Sequence, residues 1–440
     1  MTAPSGEISN IGCMMSNRVP DDILLLVFDL VVGGPLTDWP DANYDPERAA
    51  APFLLAAVCR RWRALTRDTA TLWTYFGFPS NPATYPRHAE RLRVLLAASR
   101  GTDIDVIVTL GTAYNFYAPN IAMASVHCDG ILATIGQLGA RWRSVRLRLP
   151  ARATACLRPA LQEAAPRLES LSIVSDASWF FIPPAPRLKR LYAECQYLDL
   201  PIDFEMVASF PSLEALGIIS NTSVPYALTH ALCQLNYQSL VEVCIMDKPI
   251  HLPAIPIQLP AVQTLVIDDM RYLPHIQASS LRCLCLNMNS SLNDLEDLRH
   301  FAHATELVLF GRIYMDDVRM MVLLDQIRTV SFHLPCAVRT CFKRNPAYNI
   351  SAGTFASLNR VGHAPIWPRL QVIQFLPGDD DGMLKCDLPE LLEFVRQRNV
   401  QSTLAVAPIE EIVVARMISD TDLSVISELG KLTRVTHSSI

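Results

Sequence analysis

Charged side chains are scarce, making up 18% of the 440 residues, against roughly a quarter in an ordinary globular chain. With half the residues apolar and a mean hydropathy of +0.21, the scarcity excludes a solvated, disordered polypeptide. Positive charge is short as well. The net charge of −5 gives no general reason to expect nucleic acid as a partner. Long apolar runs are missing too: "ILLLVF" is interrupted by Asp29, far short of the ~20 residues needed to cross a bilayer. Residues 1–18 lack the basic start and apolar centre of a signal peptide and read as a disordered N-terminus. These absences lead us to expect a soluble, intracellular protein, cytoplasmic or nuclear, with no membrane partner.

Paired ligand and catalytic signatures are also absent. The twelve cysteines are scattered and none forms a CxxC. Cys283 and Cys285 are two apart and Cys336 and Cys341 five apart, neither a zinc-ligand spacing, so buried reduced thiols are expected. No GxSxG, phosphate-binding glycine loop or GxGxxG occurs. "YMDD" (Tyr314 to Asp317) matches a polymerase tetrapeptide by letters only, because here its acids would begin a helix. "HFAH" puts His300 and His303 on one helical face without the base a metallopeptidase helix requires. The carboxylates of "GDDDG" (Gly378 to Gly382) are consecutive, whereas calcium loops alternate them. We therefore expect no cofactor, no metal, no catalytic residue and no enzyme activity of the chain's own.

What is present divides into two grammars. From Val19 to about Phe78 the pattern is helical. "VPDDILLLVFDLVV" opens with Pro20, Asp21 and Asp22, a favourable helix start. Ile23, Leu24, Val27, Phe28 and Val31 form a stripe that Leu25, Leu26 and Leu30 extend nearly all round. Glycines and prolines then predict a loop to about Pro52. "LLAAVCRRWRAL" follows as one amphipathic helix, with Leu54, Val58, Trp62 and Leu65 on a single face. Leu72 and Trp73 close the unit, and "HAERLRVLLAASRG" predicts a further helix ending at Gly101. From Cys59 to Arg100 there are eight arginines and no lysine, against Asp68 and Glu90. In an otherwise acidic chain this reads as a solvated helix face, not a nucleic-acid site, and such guanidinium forks could also pair with carboxylates of a partner.

Beyond Gly101 a spacing φ-x-x-φ-x-φ recurs, φ being apolar. It runs through Trp142/Val145/Leu147, Leu168/Leu171/Ile173, Leu213/Leu216/Ile218, Leu240/Val243/Ile245 and Val262/Leu265/Ile267. It continues through Leu281/Leu284/Leu286, Ile327/Val330/Phe332, Leu370/Ile373/Phe375 and Ile409/Ile412/Val414, with weaker copies at Leu188/Leu191 and Leu307/Leu309. The middle positions step by 19 to 27 residues up to Val330, then by 43 and 39. A period in the twenties marks a solenoid. The last two φ alternate, as a half-buried strand requires, and pieces such as "LNDLEDLRHFAH" and "MDDVRMMVLLDQI" would supply the other wall. The longer steps predict insertions or unreadable copies.

The two grammars together resemble the F-box and leucine-rich-repeat proteins, especially the fungal class. The residues carrying the first half of the likeness are Val19, Pro20, Asp22, Ile23, Leu24, Val27 and Phe28. Those carrying the second are Val58, Cys59, Arg60, Arg61, Trp62, Leu65, Leu72 and Trp73. The loop from Gly33 to Ala51 is longer than is usual there, and the repeats lack the regular stacking Asn or Cys. The resemblance implies an α/β fold: a helical F-box at 19–78, a linker helix at 79–101 and an irregular repeat solenoid of short parallel strands and helices at 102–435. It also implies a substrate-recognition subunit of a cullin-type (SCF) ubiquitin ligase, docked on a Skp-type adaptor and holding an unidentified protein substrate on its repeats. The implied adaptor-binding residues are Pro20, Ile23, Leu24, Val27, Phe28, Val58, Cys59, Trp62, Leu65 and Trp73. The rival expectation is a non-catalytic repeat scaffold whose helical cap meets no ligase.

Overall fold

The computed structural model describes residues 19–33, 44–79, 84–110, 119–175, 182–195, 210–220, 238–246, 256–288, 300–310, 312–313, 324–332, 349–350, 355, 358, 366–375, 388–400, 406–414 and 423–437. Residues 1–18, Tyr314–Asp317, Gly378–Gly382, both proposed wall segments for the most part, and most of the stretch between Cys336 and Trp367 lie outside them. The chain forms two compact units, Met1–Leu188 and Lys189–Ile440. None of the described helices is long and apolar enough to cross a membrane.

The first unit opens with three helices. α1 (Asp21–Val32) begins after Pro20 with two acids in its first turn and ends at Gly33, whose φ of +80° suits glycine. Leu24, Phe28 and Val32, four residues apart, are its buried row. α2 (Pro46–Val58) begins earlier than the sequence suggested, because the Asp45 carboxylate accepts from the Glu47 and Arg48 amides at 2.9 and 3.0 Å and Pro46 occupies the first turn. Pro52, expected to end the loop, lies buried inside this helix.

The helix expected over Leu54 to Leu65 is two helices. Cys59 is extended (φ −155°, ψ 173°), and α3 (Arg60–Asp68) starts anew, with the Cys59 sulfur accepting from the Trp62 amide at 3.5 Å. No glycine or proline dictates the break; tertiary contacts hold it. Arg63 Nε donates to the Ala56 carbonyl at 2.9 Å, closing the end of α2. Arg61 reaches the Asp21 carboxylate and the Val19 carbonyl at the head of α1. The Trp62 ring meets Phe28 edge-on at 4.8 Å.

A 3-10 turn (Ala70–Trp73) leads into β1 (Tyr75–Phe78), so the sheet starts inside the segment expected to be purely helical. α4 (Tyr85–Ala98) is not a linker but the crossover from β1 to β2 (Ile104–Thr109), which pair in parallel. α5 (Pro119–Gly136), β3 (Trp142–Leu149), α6 (Ala151–Gln162) and β4 (Ser170–Ser175) complete the unit. Its strands are all parallel and adjacent in sequence order, the arrangement that helical crossovers permit.

In the second unit the principal strands are β5 (Arg190–Cys195), β6 (Ala215–Ser220), β7 (Glu242–Met246), β9 (Thr264–Ile267) and β11 (Cys283–Asn287). β12 (Glu306–Phe310), β14 (Thr329–Phe332), β16 (Val372–Phe375), β17 (Glu411–Val414) and β18 (Arg434–His437) follow, again all parallel and in order. Two short parallel pairs, β8 (Ile257–Gln258) with β10 (Ile276–Gln277) and β13 (Arg312–Ile313) with β15 (Asn349–Ile350), stand apart. α7 (Leu388–Asn399) and α8 (Leu423–Leu432) link the last three strands of the sheet.

The repeat read from the sequence is the register of these strands. Leu191, Leu216, Val243, Leu265, Leu284, Leu307, Val330, Ile373 and Ile412 each lie opposite the next. The long steps to Ile373 and Ile412 are insertions between neighbouring strands, not unread copies. Each unit also has register pairs the spacing did not reveal: Phe76 opposite Val106 and Val106 opposite Val145 in the first, and Val435 opposite Ile412 in the second.

Eight of the strands are preceded by a tight turn of one kind. The amides of Leu168, Leu188, Leu213, Val262, Leu281, Ala304, Ile327 and Leu370 donate to the carbonyl three residues back. Those earlier residues, Ala165, Ala185, Phe210, Leu259, Ala278, Phe301, Leu324 and Trp367, are buried. In five of these turns the next residue is proline, at 166, 186, 211, 260 and 368, whose fixed φ presets the turn. His300 and His303 lie in such a turn segment and not on an α-helix, with His303 Nε2 3.0 Å from the Ala278 carbonyl oxygen.

Candidate docking surface on the N-terminal helices

α1 and α2 carry more apolar side chains than they bury. With Leu24, Phe28 and Val32 turned inward, α1 leaves Ile23, Leu26, Val27, Leu30 and Val31 in solvent, Leu30 with 83% of its surface accessible. On α2, Ala51 and Leu55 are buried while Leu54 and Val58 stay exposed, at 64 and 61%. Of these exposed residues, Val31 of α1 and Leu54 and Val58 of α2 line one open groove of about 780 Å³, together with Ala50 and Leu55. Asp45, Glu47 and Arg48 stand at its charged edge. Monomeric proteins seldom leave apolar side chains grouped in this way without a use for them.

The residues anticipated from the sequence divide into three groups. Pro20, Ile23, Val27 and Val58 are exposed. Cys59, Trp62 and Leu65 are half-buried, Trp62 against Phe28. Leu24, Phe28 and Trp73 are buried in the unit's own core. Trp73 packs edge-on to Phe53 at 5.2 Å and donates from Nε1 to the Thr66 carbonyl at 2.7 Å. The spacing did not single out Leu26, Leu30, Val31 and Leu54 as surface, although an apolar residue on every side of α1 was a readable sign that one side had no internal cover.

The arginines are largely engaged inside the unit. Besides Arg61 and Arg63, Arg100 donates to the Arg67 carbonyl at 3.1 Å and lies 3.4 Å from the Asp68 carboxylate. The helices are tied to the sheet by Arg48, whose guanidinium lies over the Tyr75 ring and 3.8 Å from Asp105 on β2. Asp105 has no exposed surface and accepts two bonds from Arg143 of β3, at 2.9 and 2.7 Å. The Asp105 contact, above all, holds the Arg143 guanidinium's pKa above its ordinary value. Tyr75 Oη accepts from the Asp45 amide at 2.9 Å, and burial pushes its hydroxyl up to about 12. Gly77 of β1 leaves room for the Tyr44 ring, which a Cβ there would meet at 2.2 Å. His88 of α4 packs against Phe78 and Tyr44. Burial first, then Arg91 and Arg87, lower its pKa to about 4.

Among the described residues, no group of three His, Cys, Asp or Glu side chains is placed to hold a metal ion. What the surface offers chemically is apolar area beside a groove, flanked by engaged arginines. No protein-family model matches the chain, and no curated protein matches it.

Proposed function

We propose that this protein is the substrate-recognition subunit of a cullin-type ubiquitin ligase. α1 to α3 would be an F-box that docks on a Skp-type adaptor, and the parallel-strand repeats would be the leucine-rich region holding the protein to be modified. The chain itself performs no chemistry in this reading. One observation carries it: α1 and α2 both leave apolar side chains exposed, with Val31, Leu54 and Val58 on a common groove, although both helices already bury an inner row. Hydrophobic association is the ordinary use of such a surface.

The test is capture of the full-length chain by a Skp-type adaptor. Ile23→Glu with Val27→Glu should abolish capture while thermal unfolding stays within a few degrees of the parent, since both positions are exposed. A complex that survives both substitutions, or no complex with the folded parent chain, would sink the ligase reading and leave the repeat scaffold. The full chain is needed because β1 belongs to the sheet, so cutting after residue 78 would remove a strand.

A further inference from the structure

We infer that a polar cleft at the end of α1 is a binding site for a primary alkylammonium group, carried by a protein lysine or by a free polyamine. The cleft holds about 510 Å³ and lies within the first unit. Asp29 of α1, Thr74 just after the 3-10 turn, Thr102 and Asp103 ahead of β2, and Arg143 of β3 stand in its wall. Val32 and Gly33 line both this cleft and the apolar groove, so the two cavities meet at the end of α1. A polypeptide seated on the groove therefore passes the mouth of the cleft.

Of the three charged side chains in the wall, two are already matched. Arg143 gives Nε and Nη2 to the buried Asp105. Asp103 is paired with Arg167 at 2.5 Å. The third, Asp29, is exposed, and among the described residues its carboxylate has no hydrogen bond or ion pair. It sits in the last turn of α1, where no basic side chain is present. A helix carries about half a negative charge at that end, so α1 adds to the field of Asp29 and does not offset it. An anion would meet that unmatched charge; a cation relieves it.

The neutral part of the wall also consists of acceptors. Thr74 Oγ1 donates to the Thr71 carbonyl at 3.0 Å, and Thr102 Oγ1 donates to the Ser99 carbonyl at 2.7 Å. A hydroxyl that has given away its one proton offers only lone pairs to a ligand. An ammonium group brings three N–H donors and no acceptor. One free carboxylate and two hydroxyl oxygens match it in number and in sign. A divalent metal ion fits less well, because it needs several oxygen ligands, carboxylates foremost, and one carboxylate here is free.

The test uses two probes with the full-length chain, read by saturation-transfer NMR on the probe. Nα-acetyl-lysine amide stands for a protein lysine and spermidine for a free polyamine. Saturation should reach the methylene beside the ammonium, and the Nα,Nε-diacetyl form of the amide, which lacks the charge, should receive none. Asp29→Asn should weaken binding by about tenfold, the scale of one hydrogen bond to a charged group. Asp22→Asn, the same charge change in the first turn of α1, should leave binding unchanged. Both positions are exposed, so both variants should melt with the parent. Whichever probe loses more affinity on Asp29→Asn names the source of the ammonium group. No saturation of either probe, binding that Asp29→Asn leaves intact, or equal losses in Asp29→Asn and Asp22→Asn overturns the inference and leaves a solvent-filled crevice.

Discussion

Asp105 is a carboxylate without solvent access, held by two hydrogen bonds from Arg143 and approached by Arg48. Its removal strands two guanidinium groups at the junction of helices and sheet, so Asp105→Ala should destabilise the first unit by about 3 kcal/mol, read as a lowered thermal midpoint. His88 adds a pH dependence whose sign is determined. The unfolded histidine takes up a proton near its ordinary value of 6.5, the folded one not until about 4, so the unfolded chain binds more protons in between. Stability present above pH 6.5 should therefore be lost as the pH falls toward 4. His88→Phe, which keeps a ring against Phe78, should flatten that part of the melting profile. At the far end, Arg398 is buried with Nη2 donating to the Ile366 and Trp367 carbonyls at 2.8 and 3.0 Å. Burial lowers its pKa to about 10. Beside it Asn399 bonds both backbone groups of Ile409 and the carbonyl of Leu432. Neither residue stands out in the sequence, because a polar side chain at a helix end reads as surface until the next strand is known to pack there.

Among the elements, the break at Cys59 and the turns before the strands show where periodicity reads well and where it does not. Leu54, Val58, Trp62 and Leu65 fall on one side of a continuous helix, and that spacing would hold if the helix continued. Instead the Arg63 side chain closes one helix and the Cys59 sulfur opens the next, so the first two residues face solvent and the last two face partly inward. In the repeats the apolar spacing read correctly because each φ meets its counterpart one strand on. The turn residue three places earlier went unread, being Ala, Phe, Leu or Trp from copy to copy. Its burial makes it part of the core: Phe301→Ala should cost about 3–5 kcal/mol. Arg282→Ala, on an exposed side chain, should shift the unfolding midpoint of the same unit by little.

Across the molecule, stability in an array of this kind is a sum of local units and their neighbour contacts. Leu284→Ala should therefore raise amide exchange most in β11 and in β9 and β12, which pair with it. It should leave β2 and β3 near their parent rates, and exchange that rises equally in every strand would contradict local coupling. The sequence by itself determined the strands that carry the apolar spacing, their register, and that α1 has more apolar residues than one inner row can bury. A residue that meets its like at a constant step leaves a mark at that step, whatever lies between. Only the tertiary structure decided where the N-terminal helices break, that β1 belongs to the sheet, and which apolar residues stay outside. Those outcomes depend on pairs such as Arg61 with Asp21, Arg48 with Asp105 and Trp62 with Phe28, which are 34 to 57 residues apart in the chain and follow no period.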